Sequence, residues 1–453
     1  MSKNKIFACQ NCGAVFQKWQ GKCDECNTWS SINEELVDSK ISKKISSSGK
    51  NTFSLSELSN LNDINVDFLR VDTKIGEINR LLGGGMVHGS AILIAGDPGI
   101  GKSTLILELC NKLANEDFTT IYISGEEALS QIKLRAERLS VLNKHIHIAN
   151  ITSLENLMTI VSKVKPSLLV IDSVQTLYFE KLDSPPGTVS QIRICTHELI
   201  QICKKNNVTL VLIGHITKDG QIAGPKVLEH MVDVVLSFEG ENTQQFRIIR
   251  ATKNRYGSTN EIALFEMSSK GLQEVANPSE IFLPQEKDGI DKQGSCIFAS
   301  IEGSRTILLE VQALVVPSFL PTPRRATIGW DYNRLAMLIA VLNAKMKINI
   351  MNKEVYLNIV GGLKVSETAA DLAVIASLIS ANQSISIPRD MIFFGEVGLS
   401  GEVRQVNNME NRLIEASKLG FKKAIIPAQR KKFPCNIEVI ELKHISELKK
   451  ILI

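Results

Sequence analysis

The segment Gly96-Asp97-Pro98-Gly99-Ile100-Gly101-Lys102-Ser103 constrains the fold of this chain more than any other. The pattern Gly-x-x-x-x-Gly-Lys-Ser works where a strand stops, the backbone turns its N–H groups inward, and a helix begins. The flanks supply both elements. Ala91–Ala95 is apolar enough for a buried strand, and Ser103–Leu113 carries a helical pattern. Such a loop cradles the phosphates of ATP, so Gly96, Asp97, Pro98, Gly99, Ile100, Gly101, Lys102, Ser103 and Thr104 are the expected nucleotide contacts. Lys102 is expected to reach the β- and γ-phosphates, and Ser103 to ligate Mg²⁺.

Further short apolar runs follow the same plan: Thr120–Ser124, Leu168–Ile171, Thr209–Ile213, Val232–Phe238 and Phe246–Ala251. Continuous rather than alternating apolarity predicts strands covered on both faces, in a largely parallel sheet flanked by helices. Leu168–Ile171 ends in Asp172, placed to hold Mg²⁺ through water. Ser124-Gly125-Glu126-Glu127 follows another strand, and a carboxylate there can deprotonate the attacking water; Glu126 is preferred, with Glu127 the alternative. Ile213-Gly214-His215 ends a third strand, where His215 either senses the γ-phosphate or is structural.

Ahead of this core, Cys9-x-x-Cys12 and Cys23-x-x-Cys26 have the spacing of a four-thiolate zinc ribbon. Such a site is closed to water and hence structural, and zinc replaces the core that ~30 residues cannot build. Two disulfides would use the same cysteines, but the N-terminus has no secretory pattern and the other five cysteines are scattered. Those features, and the absence of any apolar run of membrane-spanning length, predict a cytoplasmic protein that does not enter a membrane. Trp19 and Trp29 flank the knuckles and either pack the ribbon or touch nucleic acid. A net charge of +4 does not decide that.

With 453 residues, several domains are expected. The expected division is a zinc ribbon over 1–32, a Ser/Lys-rich linker over 33–60 and an ATPase domain over 61–275. A linker over 276–289 and a third domain over 290–453 complete it. In the third domain the strand candidates are Cys296–Ile301, Ile307–Val316, Val355–Val360 and Met391–Phe394. Its helical stretches lie near Asp331–Lys347, Ser366–Ser380 and Met409–Leu419.

The order of these motifs, with Gly214-His215-x-Thr217-Lys218, Ile222–Asp233 and Lys253-Asn254-Arg255-Tyr256-Gly257, resembles the bacterial DNA-repair family RadA, also called Sms, over nearly the whole chain. Tyr256 stands where the family has Phe. The resemblance implies an α/β, RecA-like phosphate-loop ATPase core. It implies a homo-hexameric ring on single-stranded and branched DNA, and DnaB-like helicase activity in recombination with RecA. It also implies that Lys253 and Arg255 act across a subunit interface on a neighbour's γ-phosphate, grip DNA, or both. The third domain resembles the proteolytic domain of Lon, α+β in class, through Asn358-Ile359-Val360-Gly361-Gly362 and Phe394–Glu402. Against that family's Ser nucleophile and Lys base stand Ala369 and Glu410, so no peptidase activity is expected. Arg305, Arg324, Arg325, Arg334 and Lys345 are candidate DNA contacts or solvated surface charges. An ATP-dependent protease and a nucleotide-switched scaffold are the competing classes.

Overall fold

The computed structural model describes residues 3–9, 15–16, 18–25, 28–29, 32–38, 69–215, 227–239, 246–259, 261–275, 277–284, 293–429 and 436–452. The chain forms two compact units, Met1–Val275 and Ala276–Ile453. Among the described residues, no helix is long and apolar enough to cross a membrane.

The first unit starts with a small sheet of β1 (Lys3–Cys9), β2 (Val15–Phe16) and β3 (Ile32–Asp38), all antiparallel. The third strand runs to Asp38, six residues into the stretch expected as linker, because each residue from Ile32 to Asp38 has a ladder partner on β1. The Ser/Lys-rich heart of that stretch lies outside the described residues. A short antiparallel pair, β4 (Arg70–Val71) and β5 (Met86–Val87), precedes the main core.

That core is a nine-stranded sheet. Its strands are β6 (Ala91–Gly96), β7 (Thr120–Ser124), β8 (Ile146–Asn150), β9 (Leu168–Asp172), β10 (Thr209–His215), β11 (Val234–Glu239), β12 (Phe246–Asn254), β13 (Ile262–Ser268) and β14 (Gly271–Glu274). The spatial order is β14-β13-β12-β11-β6-β10-β9-β7-β8. The six strands from β8 to β11 are mutually parallel, and β12, β13 and β14 add an antiparallel edge. Continuous apolarity has the expected cause. Ile92 and Ile94 face one buried cluster while Ala91 and Leu93 face another, and β9 and β10 alternate likewise. Each fully buried Ile, Leu or Val contributes about 1.5–3 kcal/mol, so the central strands anchor both layers.

In the second unit, seven strands stand in the order β17-β18-β16-β15-β19-β22-β23. They are β15 (Ser295–Glu302), β16 (Arg305–Pro317), β17 (Arg325–Ile328), β18 (Lys353–Ile359), β19 (Met391–Phe393), β22 (Lys423–Pro427) and β23 (Glu438–Leu442). A separate hairpin joins β20 (Glu396–Val397) to β21 (Val403–Arg404). The helix Asp371–Gln383 packs on β15 and β16 and is buried at every residue from Asp371 to Ser380. A helix so enclosed needs no polar face, and its sequence has almost none. The stretch 276–289, expected as a linker, carries the helix Pro278–Phe282. Phe282 is buried against Gly361, and Ser279 Oγ accepts from the Leu308 amide at 3.1 Å, so packed structure begins before residue 290.

Candidate active site

Parallel strands end together, and their carboxyl ends gather the expected site residues. Across the register Gly96 lies beside His215, and Asp172 lies between Ile213 and Ser124. The phosphate-loop strand, the Asp172 strand, the His215 strand and the strand leading to Glu126 therefore deliver their last side chains to one edge.

The loop bends as glycine allows. Gly96, Gly99 and Gly101 have φ of 158°, 78° and 115°, and a Cβ on Gly96 would meet Phe238 at 2.7 Å. Gly101 opens the helix Lys102–Leu113 with no side-chain cap, leaving the first-turn N–H groups for an anion. Ser103 and Thr104 follow in that first turn, half-buried. Lys102 is 3% exposed, and its ammonium donates to the carbonyls of Gly96 at 2.7 Å and Asp97 at 2.8 Å. Burial lowers its pKa from the usual lysine value, against the opposing pull of Asp172, Asp97 and Glu126. An ammonium held this way keeps its charge beside carboxylates and can exchange loop carbonyls for phosphate oxygens.

His215 joins two of the expected residues. Its Nδ1 lies 3.4 Å from the Lys102 ammonium and its Nε2 3.2 Å from Glu126 Oε1. An ammonium can only donate and a carboxylate only accept, so a neutral ring with its proton on Nε2 satisfies both sides. Glu126 also accepts from Ser173 Oγ, and its side chain is 43% exposed. The neighbouring acid behaves differently. Glu127 pairs with Arg135, and its backbone is held by the Ser124 hydroxyl at 3.0 Å. Of the two, Glu126 is therefore the one gathered with Lys102 and Asp172.

Asp172 is 9% exposed and accepts from the phenol of Tyr122, which is itself 1% exposed. Burial first, then the Asp172 charge, raises the Tyr122 pKa well above 10 and keeps it a donor. Tyr122, Ser173 and Arg135 were not singled out from the sequence. The available signal was a hydroxyl-bearing ring between two isoleucines of a fully buried strand.

Lys253 and Arg255 are not brought to this edge. Asn254 pairs with Val234, which pairs with Ile92 at the start of β6, so the motif sits at the opposite end of the sheet. The Lys253 ammonium donates to the carbonyls of Glu229 (2.7 Å), His230 (3.3 Å) and Val232 (2.8 Å), capping the helix Val227–Met231. Arg255, with a half-exposed side chain, pairs with buried Asp233 at 3.2 Å; that carboxylate also takes Lys204 and the Ala91 amide. Gly257 packs so close to Gly83 that a Cβ would meet its Cα at 2.8 Å, which accounts for the glycine ending Lys253–Gly257. Thr217, Lys218 and residues 222–226 lie outside the described residues.

In the ribbon, Cys9 and Cys23 are fully buried together with Ile32. Two thiols converging in so small a core fit a soft metal ion better than they fit apolar packing. Cys12 and Cys26 lie outside the described residues. The rings of Trp19 and Trp29 remain 62% and 71% exposed, with Lys22 over Trp29 at 5.9 Å, so neither fills a core.

Where a Lon-type nucleophile is expected, the second unit has Ala369, 2% exposed; Glu410 at the base position faces solvent. Ser366 and Thr368 are exposed, and Thr368 donates to Glu396 at 2.7 Å. Of the five basic residues considered for DNA, Arg334 is committed to buried Asp371 and to the Val397 carbonyl. Arg324 and Lys345 are exposed, and Arg305 and Arg325 partly so.

Three family descriptions match parts of the chain: "AAA domain" over 55–221, "Subunit ChlI of Mg-chelatase" over 333–430, and "Rubredoxin metal binding domain" over 7–34. Among curated proteins, the chain is 50% identical to the DNA repair protein RadA of Rickettsia conorii, covering 93% of this chain and 94% of that one. It is 45% identical to the RadA of Bacillus subtilis, covering 99% and 98%. Among solved structures it is similar to a KaiC-like protein of Pyrococcus horikoshii OT3, at 22% identity and a TM-score of 0.38, over 46% of this chain and 99% of that one. The class is α/β, with a RecA-like phosphate-loop core, an N-terminal zinc ribbon and a C-terminal part of the Lon-like and chelatase-subunit kind.

Proposed function

The chain belongs to the RadA family of DNA repair proteins, and from that premise we propose that it is a DNA-stimulated ATPase driving a DnaB-like helicase. Its work is homologous recombination and branch migration, on single-stranded and branched DNA, together with the RecA recombinase in the cytoplasm. The observation that carries the ATPase part is the link from Lys102 through His215 to Glu126, with His215 within hydrogen-bonding distance of each, beside Asp172.

In this reading the loop from Gly96 to Thr104 wraps the phosphates, and Lys102 leaves its loop carbonyls to neutralise the transferring group. Glu126 takes the proton of the attacking water, and His215 reports γ-phosphate occupancy to both residues. Ser103 and Asp172 would hold Mg²⁺, which supplies charge neutralisation at the phosphates. Cys9, Cys12, Cys23 and Cys26 would hold a structural zinc, measurable as about one ion per chain.

Lys253 and Arg255 stand at the end of the sheet away from their own phosphate loop, so they serve a neighbour in a homo-hexameric ring, grip DNA, or both. Mixing Lys253→Ala with Lys102→Ala subunits tests the trans role. Mixed rings should regain part of the activity, and no recovery in rings confirmed to mix removes it. The proposed domain scheme is ribbon, linker, ATPase domain to about residue 275, and a proteolytically inactive last domain; the division of the chain at Val275 supports the boundary before the last domain.

The test of the function is ATP hydrolysis with and without single-stranded DNA, beside strand displacement on a forked duplex. Both should depend on Lys102. Hydrolysis raised by an unfolded protein and indifferent to DNA would contradict the proposal.

A further inference from the structure

Three bonds lace β7 and its following loop to the end of β9. The Tyr122 phenol donates to Asp172 Oδ2, the Gly125 amide donates to the Asp172 carbonyl at 2.8 Å, and Ser173 Oγ donates to Glu126 Oε1. The lacing is close enough that a Cβ on Gly125 would overlap the Thr176 hydroxyl at 1.8 Å. Within it, Asp172 is almost enclosed, and the tyrosine ring is more so.

A carboxylate that binds a metal must present the correct oxygen, since a free rotor spends much of its time turned away. We propose that Tyr122 is a positioning residue for metal binding: by holding Asp172 Oδ2 it leaves Oδ1 directed to the phosphate edge. The proposal rests on the ATPase reading and deepens it. Four features carry it together. The phenol lies on the strand next to that of Asp172, in parallel register with Val170, two residues before the metal-side carboxylate. The ring is packed in the apolar cluster that includes Ile94, Leu105 and Cys110, so it cannot swing out to another acceptor. The main chain of Asp172 is fixed independently by Gly125, so the side-chain torsion is the freedom left to control. Finally, Glu126 follows the same strand, four residues on from Tyr122 and two past its last residue. One strand and its loop therefore set both the Mg²⁺-side carboxylate and the base, and their separation is held by the lacing rather than by the loop alone.

The test uses the full chain, a fluorescent ATP analogue and Mg²⁺ titrated from a chelated baseline. Tyr122→Phe keeps the ring and removes the donor. Metal-free nucleotide binding should match wild type, which shows that the pocket is assembled. The Mg²⁺ concentration that half-saturates the metal-dependent tightening should rise about tenfold, the scale expected when a residue supporting a metal ligand is lost. In an Asp172→Asn background the same change should have no further effect on Mg²⁺ dependence. A wild-type Mg²⁺ requirement in Tyr122→Phe overturns the proposal and leaves the ATPase reading intact. Metal-indifferent binding by the wild type overturns the ATPase reading itself. Should Tyr122→Phe bind no nucleotide, the wild-type sequence is labelled with 3-fluorotyrosine at its five tyrosines. One fluorine resonance should then move when Mg²⁺ joins the ATP-bound chain, and none moving overturns the proposal.

Discussion

Both units bury charge, but they use it in opposite ways. In the first, Lys102 leans on two loop carbonyls and a histidine, and Glu126 on a serine and the same histidine, at an edge open to water. Each partner is one that a phosphate or a water can replace. In the second, Arg412 is 1% exposed, lies 5.7 Å from the ring centres of both Phe298 and Phe394, and forms an ion pair with Glu367. Arg334, only partly buried, pairs with the fully buried Asp371. A charge closed in on all sides by aromatic rings and a carboxylate holds a fold together and has no free direction in which to act. The proposed site is thus the place where charge keeps exchangeable partners.

The largest effect should come from Lys102→Ala. Hydrolysis should fall on the order of 1,000-fold or more, since the ammonium acts on transition-state charge; the zinc content and the fold of the second unit should not change. Measured phosphate release near wild type would erase the distinction between the units.

Glu126→Gln and Glu127→Gln sharpen it within one turn of chain. The first should lower hydrolysis on the order of 100-fold with nucleotide binding retained. The second removes only the partner of Arg135 and should stay within a few-fold. Equal losses would mean that Glu126 holds no special place.

Arg412→Leu probes the other side. Removing one member of a buried pair should cost about 3 kcal/mol of the second unit's stability. Denaturant unfolding followed through Trp330, a buried reporter, reads that loss. ATP hydrolysis by the folded protein should persist.

The fold was readable where local chemistry decides it. The phosphate loop needs its glycines and its strand–turn–helix context, and covered parallel strands need continuous apolar runs, so β6, β7, β9 and β10 are plain in the chain. The edges were not. Ile146–Asn150 has His147 and Asn150 exposed and lacks the apolar signal of a central strand. The antiparallel additions β13 and β14 pair with their chain neighbours at the sheet's edge, where β14 ends in exposed Gln273 and Glu274 and lacks the continuous apolarity of a covered strand. Within the site, Lys102, Glu126, Asp172 and His215 lie on one edge because each ends a parallel strand or follows it, which a strand-by-strand reading can foresee. Tyr122 could not be assigned to Asp172 without knowing the neighbour of its strand. Arg412 did leave a trace: it falls on the apolar face set by Met409, Leu413 and Ala416, where a charge requires a buried partner.

The smallest effect concerns the phosphate-loop helix itself. Burial raises the Glu108 pKa to about 7, opposed by the Leu272 amide and Lys112. Its folded value lies above the unfolded 4.5, so the first unit should be more stable at low pH and lose that contribution as pH rises from 4.5 toward 7. Glu108→Gln should flatten this part of the profile, seen as a smaller difference in melting temperature between pH 5 and pH 8. An unchanged difference would place the titration elsewhere.

The first unit is expected to carry the chemistry and the second none. One reaction tests it directly: full-length protein with ATP, Mg²⁺, single-stranded DNA and an unfolded protein substrate, assayed together for phosphate and for new peptide ends. Phosphate release should rise with DNA and disappear in Lys102→Ala, with no peptide ends in either sample. Peptide ends that persist in Lys102→Ala but vanish in Ser366→Ala or Thr368→Ala would contradict it.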